Sequence, residues 1–218
     1  MHQEAIRGDM NLINGCSAEI ESYPHLAFVV DEPLVSHFFL LLQQGVRVRS
    51  RIGCSVAAFL REEIGAGIET IEKIQSIILD GKAVDDIKSA MIKDGSVLAL
   101  SAAMPGLVGA TLRRGGAYSS FRSAITYHET GEECIQGEGF VRIKLFNLLM
   151  TEFGPGLLRK GVILRSEDFI SFSAAQSEHF WQGCRRITLD SKPVDVRKLQ
   201  GSSWLSGKDQ VFLLVSSG

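Results

Sequence analysis

The chain has 218 residues, of which 45% are apolar and 22% charged, with a formal net charge of −2 and a pI near 6.2. This balance excludes wholesale disorder, collagen-like or low-complexity structure and a bare disulfide scaffold. Its bulk charge gives no pull toward nucleic acid or anionic lipid, so neither is expected as a partner.

In chain order, the opening residues mix Glu4, Arg7 and Asp9 among apolar ones, without the apolar core of a secretory signal. The longest strongly apolar run, 38–42, is far shorter than a membrane span needs. Cysteines at 16, 54, 134 and 184 form no CxxC pair. Reduced thiols and a cytoplasmic location are therefore expected. Residues 1–33 read as an arm with one short strand-like run at 25–30. Charge is uneven: residues 1–110 hold nine Lys/Arg against fourteen Asp/Glu, and 111–218 hold fourteen against eleven.

An alternating run, VRVRSRI, occupies 46–52 and puts valines on one face and Arg47, Arg49 and Arg51 on the other. Period two marks a strand with one face on a core and one in solvent. A hairpin from 37–42 through Gly45 into this strand is expected. Ser55 then suits the N-cap of a helix over 56–64.

Residues 77–85 read IILDGKAVD, and residues 187–195 read ITLDSKPVD. Each predicts a strand, an Asp turn and a short return. The echo extends downstream, where 94–100 and 207–215 are apolar runs after polar turns. Both are expected as strands buried on both faces. It also extends upstream, where 141–145 alternates like 46–52 and a loop at 154–156 leads into 161–164. Ser166 is expected to cap a helix over 167–180, with Phe169, Phe172 and Phe180 toward the sheet. Each half thus reads hairpin, helix, strand, crossover, buried strand. The predicted fold is α+β, with two small mixed sheets that each carry one helix on a face. The units span 34–128 and 140–218, joined by a linker at 129–139.

This order of elements resembles the β-grasp, or ubiquitin-like, superfamily. The segments IILDGKAVDD (77–86) and IKDGSVLALSA (92–102) are similar to its penultimate strand-and-turn and its final strand. The turn before the latter is nearest to the prokaryotic sulfur carriers. The likeness covers about 36–104 and, more loosely, 140–218. A carrier works through a free C-terminal Gly-Gly. This chain instead ends in the single Gly218, and its Gly115-Gly116 lies mid-chain after Arg113-Arg114.

The run 104–116 combines Gly106, Gly109, Gly115 and Gly116 with Arg113 and Arg114, chemistry suited to an anion. The plainer expectation is a glycine turn between strands at 108–112 and 118–127. His128 through Cys134 gathers metal-capable groups without a second pair, so no metal site is expected. Cys54 before a helix could be an activated thiol. His25, His37 and His179 read as packing residues, and Trp181 and Trp204 as packing rings with satisfied indole N–H groups.

No catalytic constellation and no cofactor motif stands out. The leading expectation is a binding or scaffold protein whose partner is another protein, with Arg47, Arg49 and Arg51 rimming the contact surface. A modifier or sulfur-carrier relative is the second expectation. A binder of, or enzyme for, small anionic ligands using the Gly/Arg loop is the third.

Overall fold

A computed structural model describes residues 16–118, 121–122, 125–128, 135–200, 203–205 and 207–218. Ten of the strands form one mixed sheet, and a two-stranded ribbon pairs β3 (Cys54–Ser55) with β6 (Met91–Ile92). One half of the large sheet holds β2 (Val46–Ile52), β4 (Ser76–Leu79), β5 (Lys82–Ala83), β7 (Val97–Ser101) and β8 (Gly137–Phe146). The other holds β1 (His25–Val30), β9 (Val162–Arg165), β10 (Cys184–Leu189), β11 (Lys192–Pro193) and β12 (Gln210–Ser217). In space the order is β5-β4-β7-β8-β2, then β9-β12-β1-β10-β11.

The structure thus has one large mixed sheet where two separate small sheets were expected, because the strands of its two halves meet edge to edge. The joint is a single antiparallel pair, Arg47 with Ile163. Those two residues are equivalent in the repeat, because each lies two positions after the glycine that closes a helix. Gly45 (φ 109°) ends α2 (Phe39–Gln44), and Gly161 (φ 97°) ends α6 (Leu148–Lys160). Both adopt backbone that favours glycine. A local twofold thus runs between Arg47 and Ile163, and each half repeats the other's pairing. β7 and β8 are parallel, as are β1 and β12; β4 runs antiparallel to β7, and β10 to β1.

The connectivity is crossed. The central strand beside β4 is β7, from the same unit, whereas the central strand beside β10 is β1, from the run that precedes the first unit. Matching turns make this visible. Asp80 and Asp190 both have positive φ, at 51° and 49°. The Asp80 carboxylate accepts from the Val97 amide at 2.7 Å, and that of Asp190 from the His25 amide at 2.9 Å. The strand-like run at 25–30 is thus an interior strand, not an arm.

Two expected hairpins are β-strand–helix units instead. Residues 37–44 finish a 3-10 helix (Glu32–Phe38) and form α2, and residues 148–160 form α6. The run FFLLL has strand length but helical spacing of its buried residues, Phe38, Leu41 and Leu42. α3 (Val56–Glu62) starts where expected, with the Ser55 hydroxyl accepting from the Ala58 amide at 3.2 Å. α4 (Ile68–Lys73) follows it. α7 (Ser166–Ala174) stops short of 180, and α8 (Glu178–Gln182) continues. α9 (Val196–Gln200) and a 3-10 turn (Ser203–Leu205) precede β12. Residues 108–112, where a strand was expected, lie in helix α5 (Gly106–Leu112).

Helices α2, α6 and α7 pack on one face of the sheet. One apolar core runs beneath them through both halves, including Phe59, Leu79, Leu98, Val141, Leu158 and Val211. Leu79 is fully buried while its repeat equivalent Leu189 is half-buried, so the two turns sit in unequal surroundings. Phe28, Phe38, Phe169, Phe172 and Phe180 form an aromatic cluster, with Phe38 and Phe172 centred 4.9 Å apart. Trp181 and Trp204 meet this cluster edge-on, but among the described residues their indole N–H groups have no hydrogen-bond partner, contrary to expectation.

Candidate functional site

Among the described residues, the opposite face of the sheet carries no layer of that kind. β7 and β12, expected to be covered on both sides, alternate instead. Leu98, Leu100, Val211 and Leu213 are buried, while Val97, Ala99, Phe212 and Leu214 are half-exposed. Strand register identifies what else points outward. Arg47, Arg49 and Arg51 stand opposite Arg142, Phe140 and Glu138. Arg142 and Lys144 stand beside Val97 and Ala99. Arg165 faces Gln210, and Arg186 faces Val29. The outward charges on the strands are thus seven cations, Arg47, Arg49, Arg51, Arg142, Lys144, Arg165 and Arg186, against one carboxylate, Glu138.

A helix, α1 (16–21), crosses the middle of this face. Cys16, Ile20 and Tyr23 pack on Phe140, Ile163 and Phe212 in a small cluster separate from the main core. Glu19 pairs with Arg47 at 3.0 Å and accepts from the Tyr23 hydroxyl at 2.5 Å. Arg47 also donates to Gln210 at 3.0 Å and lies 4.4 Å from the centre of the Phe140 ring. Arg49 donates to the Ser17 hydroxyl at 2.9 Å and pairs with Glu138. Burial pushes the Cys16 thiol and the Tyr23 phenol up from their usual values, and the hydrogen bond to Glu19 holds the Tyr23 proton further.

Two of the three arginines expected to rim a partner surface are therefore engaged by the chain's own N-terminal helix. Arg51 turns away to Glu63, at 2.8 Å, and Glu62 on α3. Arg142 donates to the Gly45 carbonyl at 3.2 Å. Among the described residues, Arg142, Lys144 and Arg186 have no carboxylate partner. The alternating pattern at 141–145 marked Arg142 and Lys144 as outward, but only the pairing of β2 with β8 brings them beside Arg47.

Beyond Val48, β2 leaves β9 and a cleft of about 530 Å³ opens. Arg47, Arg49, Arg51 and Lys160 line it, with Glu63, Glu138, Ile20 and Phe212. Lys160 closes one end by donating to the Glu63 carbonyl at 2.5 Å.

The Gly/Arg loop is put to internal use. Gly109 is buried where a Cβ would lie 1.7 Å from the Met104 carbonyl oxygen, and Gly106 (φ 73°) and Gly115 (φ 62°) take glycine backbone. The Gly115 amide donates to the Asp85 carboxylate at 3.0 Å, and buried Arg122 donates to the same oxygen at 2.7 Å. The anion this loop holds is thus Asp85. Burial pushes that carboxyl upward, but the Gly115 amide and Arg122 outweigh it and hold Asp85 below its ordinary value. Arg113 is exposed, Arg114 donates to the Ile71 carbonyl at 3.4 Å, and the Gly116 amide closes a turn on Arg113. Gly218 donates to the Val30 carbonyl at 3.1 Å, which ties it to the sheet. Leu107, Val108, Tyr118, Phe121 and Ile125 are exposed around this loop.

The remaining candidates are dispersed. Burial pushes the Cys54 thiol up, opposite to activation. His25 binds the Ile20 carbonyl at 3.0 Å and His37 binds Gln176 at 3.0 Å, while His179 is exposed. His128 is exposed, and 129–134 lie outside the described residues. Among the described residues no group of three His, Cys, Asp or Glu is placed to hold a metal ion, and no helix is long and apolar enough to cross a membrane. Comparison with known protein families, curated proteins and solved structures finds no match to this chain.

Proposed function

We propose that this chain acts by binding, and that the open face of its sheet docks a protein partner with an acidic surface. The observation that carries this reading is the excess of outward cations on the strands, of which Arg142, Lys144 and Arg186 have no carboxylate partner among the described residues, on a chain whose net charge is −2. Sidedness of this kind steers and orients an oppositely charged partner. A protein suits the face better than nucleic acid. Val97, Ala99 and Leu214 offer small aliphatic contacts beside the cations.

The β-grasp resemblance is part of the same reading. In its favour, each half has a parallel central pair and a helix directly after the strand at the dyad, α3 after β2 and β3, or α7 after β9. The departure is the exchange of central strands between repeats, which makes the unit an intertwined pair rather than two self-contained domains.

The test is affinity capture from native lysate with wild-type chain and two charge-reversed variants, Arg142→Glu/Lys144→Glu on the face and Lys82→Glu/Lys88→Glu away from it. A partner held by wild type and the second variant, lost from the first and released by salt, is expected. Identical captured sets for all three would overturn the proposal.

A further inference from the structure

The reading above leaves one feature unexplained: the proposed docking face is already occupied. α1 places Cys16 and Ile20 one helical turn apart and Tyr23 just beyond, and these three fill the space between Phe140, Ile163 and Phe212. Between them Glu19 reaches Arg47, and Ser17 reaches Arg49. The attachment is slight. Among the described residues its cluster holds three buried side chains, Cys16, Phe140 and Ile163, and is separate from the main core. The central ion pair is part-exposed, with 23% of the Arg47 and 39% of the Glu19 side chain open to solvent. Among the described residues, Arg142 and Lys144, next along the same face, have no carboxylate partner.

We infer that α1 is a resident ligand, and that the partner is an amphipathic helix of the same chemistry that displaces it. This rests on the binding reading and deepens it. The partner helix carries apolar residues four apart for the Phe140–Ile163–Phe212 floor and a carboxylate for Arg47. Further carboxylates reach Arg142 and Lys144. Those added ion pairs are what α1 cannot make, and they give the incoming helix its advantage over a tethered competitor. Undocked, α1 exposes the whole cationic strip; docked, it holds the face closed to weaker ligands.

The test uses the full chain and a fluorescent synthetic peptide spanning residues 12–24. Ile20→Asp undocks α1, and Glu19→Arg, which repels Arg47, is a second route should the first fail to fold by circular dichroism. The peptide is expected to bind either undocked variant at least tenfold more tightly than wild type, whose site is filled. Adding Arg47→Glu to Ile20→Asp is expected to abolish that gain. A peptide with three added glutamates is expected to bind several-fold more tightly again, and this increment is expected to vanish in Arg142→Glu/Lys144→Glu. Equal binding to wild type and both undocked variants, or binding indifferent to Arg47→Glu, would overturn the inference. If lysate capture still depends on Arg142 and Lys144 in that event, the binding face stands and only the role of α1 falls. Loss of both results removes the face as well.

Discussion

Arg47 on β2 and Arg142 on β8 are directly opposite one another on the open face of the sheet. Like charges in that position destabilise a sheet, by about 0.2–1 kcal/mol. The fold offsets part of this by laying Arg47 over Phe140 and against Glu19, and by turning Arg142 to the Gly45 carbonyl. A local conflict that folding does not require points to selection for something other than stability.

Replacing Arg142 by Thr, which suits a strand, is expected to stabilise the chain by about 0.5 kcal/mol, read from urea unfolding. The same variant is expected to lose partner capture. A destabilised Arg142→Thr would mean that the cation is structural.

Asp85 provides a pH test. Its folded carboxyl titrates below the ordinary carboxylate value. It therefore contributes stability that is complete above about pH 4, the unfolded value, and lost as pH falls through the lower folded one. Asp85→Asn is expected to lower stability at pH 7 and to flatten its decline below pH 4. Arg122→Ala removes the buried cation that binds Asp85 and the Thr111 carbonyl. Because Asp85 is part-exposed, the loss is expected near the low end for broken ion pairs, about 2 kcal/mol. Urea melts of both variants across pH 2–7 check this.

The equivalence of Gly45 and Gly161 can be tested through their differing neighbours. A Cβ at Gly161 would lie 2.2 Å from Phe212 Cζ, a ring held by His25 and α1. At Gly45 it would meet the flexible Lys144 side chain at 3.0 Å and Arg142 Cγ at 3.6 Å. Both positions have positive φ, so both substitutions strain the backbone. Gly161→Ala is expected to cost more than Gly45→Ala, by at least about 1 kcal/mol.

Thiol reactivity reports on burial. Burial, with Asp31 nearby, pushes Cys184 up to about 11. At pH 7.5 its alkylation by iodoacetamide is expected to be on the order of a hundredfold slower than that of an ordinary thiol. Cys16, on the sheet-facing side of α1, is expected to be slow in wild type and to accelerate in Ile20→Asp, followed residue by residue by mass spectrometry.

Much of the frame was legible in the residues themselves. The alternation of 46–52, the Ser55 cap and the repeated Asp turn each have a local cause, and each is where the sequence places it. What escaped has a non-local cause. The FFLLL run fits strand or helix until its neighbours are known. Residues 25–30 read as a peripheral strand because their partners, β10 and β12, lie far along the chain. The charged face is similarly hidden, since Arg47 and Arg142 meet only through strand pairing across the repeats. Gly115 and Arg122 show the opposite case, where an anion-binding pattern was readable but its anion, Asp85, belongs to the chain itself.

The most direct test is an NMR titration of the isotope-labelled full chain with its captured partner. Amide shifts are expected to concentrate along the outward strip of β2, β7 and β8, at Arg47, Val97, Ala99, Arg142 and Lys144, and on α1 as it leaves. Shifts confined to the helical layer, or to the exposed apolar group around Leu107 and Phe121, would contradict the account.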